Sequence, residues 1–358
     1  MLKQLSAKKF TVFNELNVTF AKGINVVVGT NGAGKSHLLK LAYTAARWSQ
    51  EMALREKNET RPDKATLQKE LGRKLTNVFR IEDVGRLSSR GQGVHRTKVC
   101  VTFHKASKSA VDFSFSTRST TDAVLDRVPE VFFSGESVFV PTKEMLTMFP
   151  GFTSLYRERE IQIDETYYDL CLALEKPLKR RRKLADETPL LERVEEILGG
   201  SIQVENGRFY LSQPGRGKFE IPLVAEGFRK LGTLAYLLAN GTLNEQSILF
   251  WDEPETNLNP AYLVKLAELL VQVAKHDTQV ILATHSLFLL RELSLQMSLP
   301  KNKSTEHRFF ALKQTEAGEP STVTAGDSAE EIEPIAALDA EIEQSQRYLD
   351  AAHATEAT

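Results

Sequence analysis

Two short stretches of the chain carry side chains of the right type and spacing for phosphate chemistry. The first, Gly29 to Ser36, reads G-T-N-G-A-G-K-S and fits the pattern G-x4-G-K-S. Glycines at this spacing let the backbone curl so that successive N–H groups turn toward phosphate oxygens, and a helix starting at the end of the loop adds its dipole. Gly29, Asn31, Gly32, Ala33, Gly34, Lys35, Ser36 and His37 are the expected nucleotide-binding residues. Lys35 should reach the β- and γ-phosphates, and the Ser36 hydroxyl should bind Mg²⁺. The second stretch, Ile248 to Glu253, is an apolar run ending in two acids. Asp252 is expected to hold the same Mg²⁺ through water. Glu253 stands one residue on, where a general base polarises an attacking water. The pair of motifs implies ATP and Mg²⁺ as cofactors and hydrolysis as the reaction.

Both motifs need a strand before them and a helix after them. Ile24 to Val28 is a short apolar run of the kind buried on both faces of a sheet, and Ser36 to Ala45 has helical composition. Upstream, Phe10 to Phe13 and Leu16 to Phe20 read as strands. Residues 46–75 are charged and helical, with a break near Pro62, and residues 94–115 read as a hairpin built from Val99–Phe103 and Val111–Phe115. Val138 to Val140 is a further short strand. Residues 151–200 turn helical and charge-rich, and 201–223 return to strand patterns around Gly207 and Gly215. From 224 to 290 the order is helix, buried strand, helix, buried strand, the strands being Ile248–Trp251 and Val280–Ala283. This alternation predicts an α/β fold with a mainly parallel core sheet. The expected organisation is a head over 1–290, interrupted at about 49–200 by a β hairpin and a helical lobe, and a strand/helix extension over 291–358. In that extension Ile335, Leu338, Ile342 and Leu349 recur at helical spacing. They predict an amphipathic helix that docks on its own head or, alternatively, binds a partner, with Ala351 to Thr358 fraying.

Bulk composition narrows the classes. The chain has 358 residues, a formal net charge of −1, 41% hydrophobic and 26% charged residues, so it carries no global basic field for nucleic acid or acidic membrane. Its two cysteines, Cys100 and Cys171, lie far apart in sequence and lack metal-ligand spacing, so neither a disulfide framework nor a zinc site is expected. The start Met1 to Gln4 is not followed by the apolar region of a signal peptide, and no run of about 18 apolar residues is present. The expected location is cytoplasmic, with no membrane partner.

Asp252-Glu253-Pro254-Glu255, followed by Asn257 to Pro260, resembles the Walker B motif and D-loop of ABC-type ATPases. Thr284-His285-Ser286, after the strand ending at Ala283, resembles their switch histidine. The resemblance implies that His285 contacts the γ-phosphate and joins Lys35 and Glu253 in catalysis. It also implies that two heads close on paired nucleotides, each offering a signature loop to the other's site. The corresponding segment is Ala225 to Ala239. It retains Gly227 but has Ala225 where the family has serine and Glu226 where it has glycine. Arg229 or Lys230 would restore positive charge toward the partner's phosphate; the other reading is that both face solvent. The glutamine that the family carries after a mid-chain strand is missing, and Thr142, Lys143 or Glu144 stands in its region.

The opening Leu5 to Phe20 and the loop after it are similar to SMC and RecF-type heads. The form E-G-F-R-K-L of the signature resembles AAA-like ATPases grouped with overcoming-lysogenisation-defect and Septu-type proteins, many of them from bacterial antiphage systems. Residues 49–200 hold no sustained heptads of the SMC kind. Residues 291–358 are too few for a nuclease domain, so a separate effector, nuclease or toxin, is the expected partner beside a second copy of the chain. The basic run Lys179 to Lys183 suits nucleic-acid phosphates or a solvated helix face. The alternative function is a RecF-like, DNA-binding repair ATPase; a third is an ATP-dependent scaffold without hydrolysis.

Overall fold

The computed structural model describes residues 1–89, 93–104, 106–158, 161–179, 188–314 and 319–356. Its centre is a six-stranded sheet in the order β14-β13-β3-β12-β11-β7. The strands are β3 (Ile24–Gly29), β7 (Ser137–Val140), β11 (Ile248–Asp252), β12 (Gln279–Thr284), β13 (His307–Lys313) and β14 (Thr322–Gly326). All neighbouring pairs are parallel except β13 with β14. Every residue of β11 and β12 is buried, which explains why their sequences are unbroken apolar runs with no alternation.

Against one face lies a second, antiparallel sheet, ordered β2-β1-β4-β5-β6. It is built from β1 (Leu2–Phe10), β2 (Phe13–Thr19), β4 (Arg96–Phe103), β5 (Ala106–Ser116) and β6 (Val124–Arg127). Here alternation is visible: in β4 the residues Thr97, Val99, Val101 and Phe103 point inward. Helix α1 (Lys35–Asn58) is packed between the sheets, and α2 (Lys64–Phe79) follows after a break containing Pro62. Asp63 caps α2 by accepting from the Thr66 N–H at 2.8 Å. The Gln279 side chain stitches the two sheets, accepting from Leu2 N at 2.7 Å and donating to Leu2 O at 2.8 Å.

The other face of the central sheet is covered by α4 (Glu165–Leu174), α6 (Glu226–Ala239), α7 (Pro260–Lys275) and α8 (Leu287–Ser298), with α3 (Phe152–Arg157) and α5 (Thr188–Leu198) beside them. A small sheet of β8 (Ser201–Glu205), β9 (Arg208–Gln213) and β10 (Gly217–Glu220) packs on α6 through Ile202 and Phe209. The final helix is α9 (Ala336–Glu356). The α/β class, the parallel-rich core, the antiparallel β part and the helical lobe are those anticipated from the sequence.

Four features differ from expectation. Phe10 to Phe13 is not one strand: β1 ends at Phe10, Thr11 turns with φ +45°, and β2 begins at Phe13. The stretch 49–200 is not one insert, because β7 from its middle is the edge strand paired with β11. The extension 291–358 supplies β13, which lies directly beside the loop-bearing strand β3, so the head's sheet continues past residue 290. The helix α9 docks only by its start: Ile335, Ala337 and Leu338 pack on the core, while Ile342 and Leu349 are 60% and 55% exposed. Of the basic run, Arg180 to Lys183 lie outside the described residues. Among the described residues no helix is long and apolar enough to cross a membrane.

Candidate functional site

The site forms where β3, β11 and β12 end side by side. The register aligns Asp252 with Ala283 and Thr284 with Val28, so the loop after β3, the acids after β11 and the histidine after β12 converge at one edge of the sheet. Helix α1 starts from the loop, with Gly34 before it at φ +98°. A Cβ at Gly34 would come within 2.6 Å of the Phe13 ring, so both conformation and space call for glycine.

Lys35 is buried, and its ammonium donates to Gly29 O at 2.8 Å and Thr30 O at 3.1 Å. Burial pulls it below the usual lysine range, while Glu253, Asp252 and Glu255 pull it back up. Burial likewise pushes the Asp252 carboxyl above its usual range, and the Glu253 charge adds to this, against the Ser36 hydroxyl, Lys40 and Lys35. One Asp252 oxygen, Oδ1, is buried without a hydrogen-bond partner. A hydroxyl and an orphaned carboxylate oxygen side by side are the donor set that suits a hard cation such as Mg²⁺, and the residues present fit that ion.

Glu253 has a left-handed backbone, φ +51°, a conformation that costs about 1–3 kcal/mol for a side-chain-bearing residue and persists only where its surroundings enforce it. Its N–H continues the ladder to Ala283 O at 2.9 Å. Its carboxylate lies 3.3 Å from His285 Nδ1. The buried Glu255 ties this corner together, accepting from the Thr284 hydroxyl at 2.7 Å and from the His285 N–H at 3.1 Å. Sequence reasoning passed over Glu255 as a site residue; an acid two positions after a strand-ending acidic pair was the available signal.

The signature-equivalent loop begins α6 at Ala225, which offers no side chain to cap the helix. Gly227 is required by close approach: a Cβ there would meet Leu258 at 2.5 Å and Asn257 O at 2.6 Å, so α6 is seated on the D-loop-like segment of its own chain. Asn259 caps α7 by accepting from Tyr262 N, with Pro260 in the first turn.

Two residues expected to face a second copy's phosphate are engaged within their own chain. Lys230 does not reach outward to a second copy; it is 1% exposed and its ammonium donates to Glu253 O at 3.2 Å within the same chain. Arg229 is also engaged at home, 3.0 Å from Glu144 and bonded to the Thr147 hydroxyl at 2.5 Å. Glu144 thereby faces α6. His37 stands apart from the acids; its ring is 5.9 Å from that of Phe79 and lines a cavity of about 450 Å³ with Val12, Asn14 and Ile81. Burial lowers the His37 imidazole, with Lys40 adding to the effect, which favours the neutral ring.

A family profile described as "AAA domain, putative AbiEii toxin, Type IV TA system" matches residues 102–291, just over half of the chain. The chain belongs to this AAA-domain family. The matched stretch includes the α6 start, the acids after β11 and the histidine after β12. Curated relatives include "DNA replication and repair protein RecF" from two strains of Streptococcus suis, 05ZYH33 and 98HAH33. Each is 36% identical over 67 residues, which is 19% of this chain and 16% of the relative, so the chain matches about a sixth of their length. Among solved structures, an SMC head bound to the C-terminal winged-helix domain of ScpA aligns with TM-score 0.55 at 14% identity, covering 92% of this AAA-domain chain and 98% of the other. An Smc head with an extended coiled coil, bound to the C-terminal domain of ScpA derived from Pyrococcus furiosus, aligns with TM-score 0.50 at 13% identity over 97% and 99% of the two chains. At that identity the likeness is one of fold: the chain has the P-loop ATPase fold of the SMC heads.

Proposed function

We propose that the chain binds and hydrolyses ATP with Mg²⁺, two copies closing head to head around paired nucleotides, as the cytoplasmic ATPase component of a bacterial antiphage defence system that controls a separate nuclease or toxin. The observation that carries the catalytic part is the convergence of Lys35, Ser36, Asp252, Glu253 and His285 at the ends of three adjacent parallel strands. In this reading the loop N–H groups and Lys35 bind the triphosphate, the ammonium exchanging two backbone carbonyls for phosphate oxygens. Bound Mg²⁺ would neutralise charge on the β- and γ-phosphates. Ser36 and Asp252 would hold it. Glu253 orients and deprotonates a water, and His285, held by Glu255 through its backbone, faces the γ-phosphate. The cavity lined by His37 and Phe79, beside the loop helix, suits a planar base.

The defence assignment is supported by the toxin-system wording of the family description and by the form of the α6 start. The short stretch shared with RecF favours a second reading, a DNA-dependent repair ATPase, for which hydrolysis would rise on adding DNA.

Glu253→Gln tests the core of the proposal. Removing a general base lowers turnover by about 10²–10⁴-fold. We expect that loss with ATP affinity retained, and a dimer by light scattering that persists in ATP. Wild-type turnover in this variant would remove Glu253 from the mechanism.

A further inference from the structure

We infer that Lys230 is a positioning residue for Glu253: it holds the backbone of the water-activating residue from the first turns of α6, and so couples the seating of that helix to hydrolysis. The inference rests on the ATPase reading above and deepens it.

Three observations carry it. First, the Lys230 ammonium is aimed at a protein carbonyl and at no carboxylate within ion-pair distance among the described residues; its contact is Glu253 O at 3.2 Å. Burial costs the Lys230 charge, and nearby carboxylates act against that cost only at a distance, so its one hydrogen bond goes to this peptide oxygen. Second, that oxygen belongs to the left-handed residue of the site. The Glu253 N–H is fixed by Ala283 O, and its carbonyl also accepts from the Thr256 hydroxyl at 2.9 Å and the Thr256 N–H at 3.3 Å. The next residue is Pro254, which has no N–H to donate. The orientation of the Glu253 peptide, and with it the direction in which the carboxylate leaves toward His285, is therefore set by donors on this one oxygen. Third, Gly227, one turn before Lys230, touches Asn257 and Leu258, so α6 grips both ends of the segment 253–258. Any shift of the α6 start moves the Glu253 backbone with it.

The test uses the full chain as wild type, Lys230→Met, Glu253→Gln and the double variant. Steady-state turnover is read beside the dissociation constant of a fluorescent non-hydrolysable ATP analogue and thermal unfolding. Turnover of Lys230→Met should fall about 10–100-fold, within the contribution of the base itself, while analogue affinity changes less than about threefold. In the Glu253→Gln background, Lys230→Met should give no further loss, because both changes act through the same carboxylate. Thr256→Val removes a second donor from the same oxygen and should give a smaller fall of the same pattern, which keeps the inference testable if the methionine variant does not fold. Wild-type turnover in Lys230→Met, an affinity loss matching the rate loss, or an equal loss in both backgrounds overturns the inference alone. A wild-type chain that binds the analogue without turnover overturns the ATPase reading and the inference together.

Discussion

Two regions of the molecule bury lysines beside carboxylates, and they treat them in opposite ways. In the helical lobe, Lys74 of α2 is 1% exposed and lies 2.8 Å from Glu51, 3.2 Å from Glu165 and 2.8 Å from Asp169. Arg47 approaches Asp169 at 3.5 Å, and the Tyr43 hydroxyl donates to it at 2.7 Å. Burial works against the Lys74 charge, yet Asp169, Glu51 and Glu165 hold its pKa above the ordinary lysine range. At the sheet edge, Lys35 and Lys230 also have acids nearby, but their ammonium groups rest on backbone carbonyls. Burial leaves both below the ordinary range. A lysine closed into its own ion network is structure. Lys35, held on carbonyls at the mouth of the loop after β3, has charge left for an anion, whereas Lys230 is closed in on the Glu253 carbonyl. Helix α1 belongs to both regions: its first residues are Lys35 and Ser36, and its later turns carry Tyr43, Arg47 and Glu51 into the network, with Lys40 paired to Asp164 at 2.9 Å. The lobe thus anchors the helix that presents the phosphate loop.

The largest effect that divides the regions belongs to Lys74→Met. Breaking a buried network by removing one partner costs about 3–5 kcal/mol, so urea unfolding should show a loss of that size with nucleotide affinity unchanged. The loss also has a pH signature. Burial alone raises the Asp169 carboxyl, but Lys74 and Arg47 outweigh it and hold it below its ordinary value. A depressed carboxyl contributes stability above the unfolded pKa, about 3.9, and loses it as pH falls through the folded value. The difference between wild type and Lys74→Met should therefore be greatest near neutrality, where the carboxylates are ionised, and shrink as pH falls through their folded values, toward the depressed value of Asp169. A loss under about 1 kcal/mol at pH 7 would mean that the network is no more than a surface-like set of pairs.

Lys35→Met sharpens the other side. Charge-assisted hydrogen bonds contribute about 1.5–3 kcal/mol, so the dissociation constant for the ATP analogue should rise roughly 10–100-fold. Unlike Lys74→Met, it should leave the unfolding midpoint unchanged or higher, since a desolvated charge is removed. Equal losses of stability in the two variants would erase the distinction between the regions.

The parts of this arrangement differ in how plainly the sequence displayed them. The strands β3, β11 and β12 and the loop Gly29–Ser36 were legible because double burial leaves unbroken apolar runs and because the phosphate cradle constrains residue type at each position. The break between α1 and α2 was legible from Pro62. The place of β13 in the head's sheet is not legible in the sequence, because Phe309 to Leu312 is a short apolar run whose neighbour, β3, is remote in sequence. The inward turn of Lys230 was also hidden. Basic residues at a helix start are usually solvated, and only the fold brings Glu253 O under this one. The network around Lys74 escaped for the same reason: Glu51, Lys74, Glu165 and Asp169 come from three helices, and no local pattern joins them.

The smallest effect comes from a surface with neither a closed network nor a loop to serve. Helical spacing of Ile335, Leu338, Ile342 and Leu349 predicts an amphipathic helix docked on its own head, yet α9 leaves the head after its first turn, with an exposed ion pair, Arg291 to Glu341 at 3.4 Å, as its next tie. The Ile342 and Leu349 side chains are more than half exposed, so they remove little apolar area from water. Changing both to serine should alter unfolding free energy by no more than about 0.5 kcal/mol, below any effect of Lys74→Met, and leave nucleotide affinity untouched. A loss of about 2 kcal/mol or more in urea titration would show that the stripe is covered in solution. Stability would then reside in this helix as well as in the lobe network, and the contrast between the two lysine environments would no longer account for where the chain concentrates it.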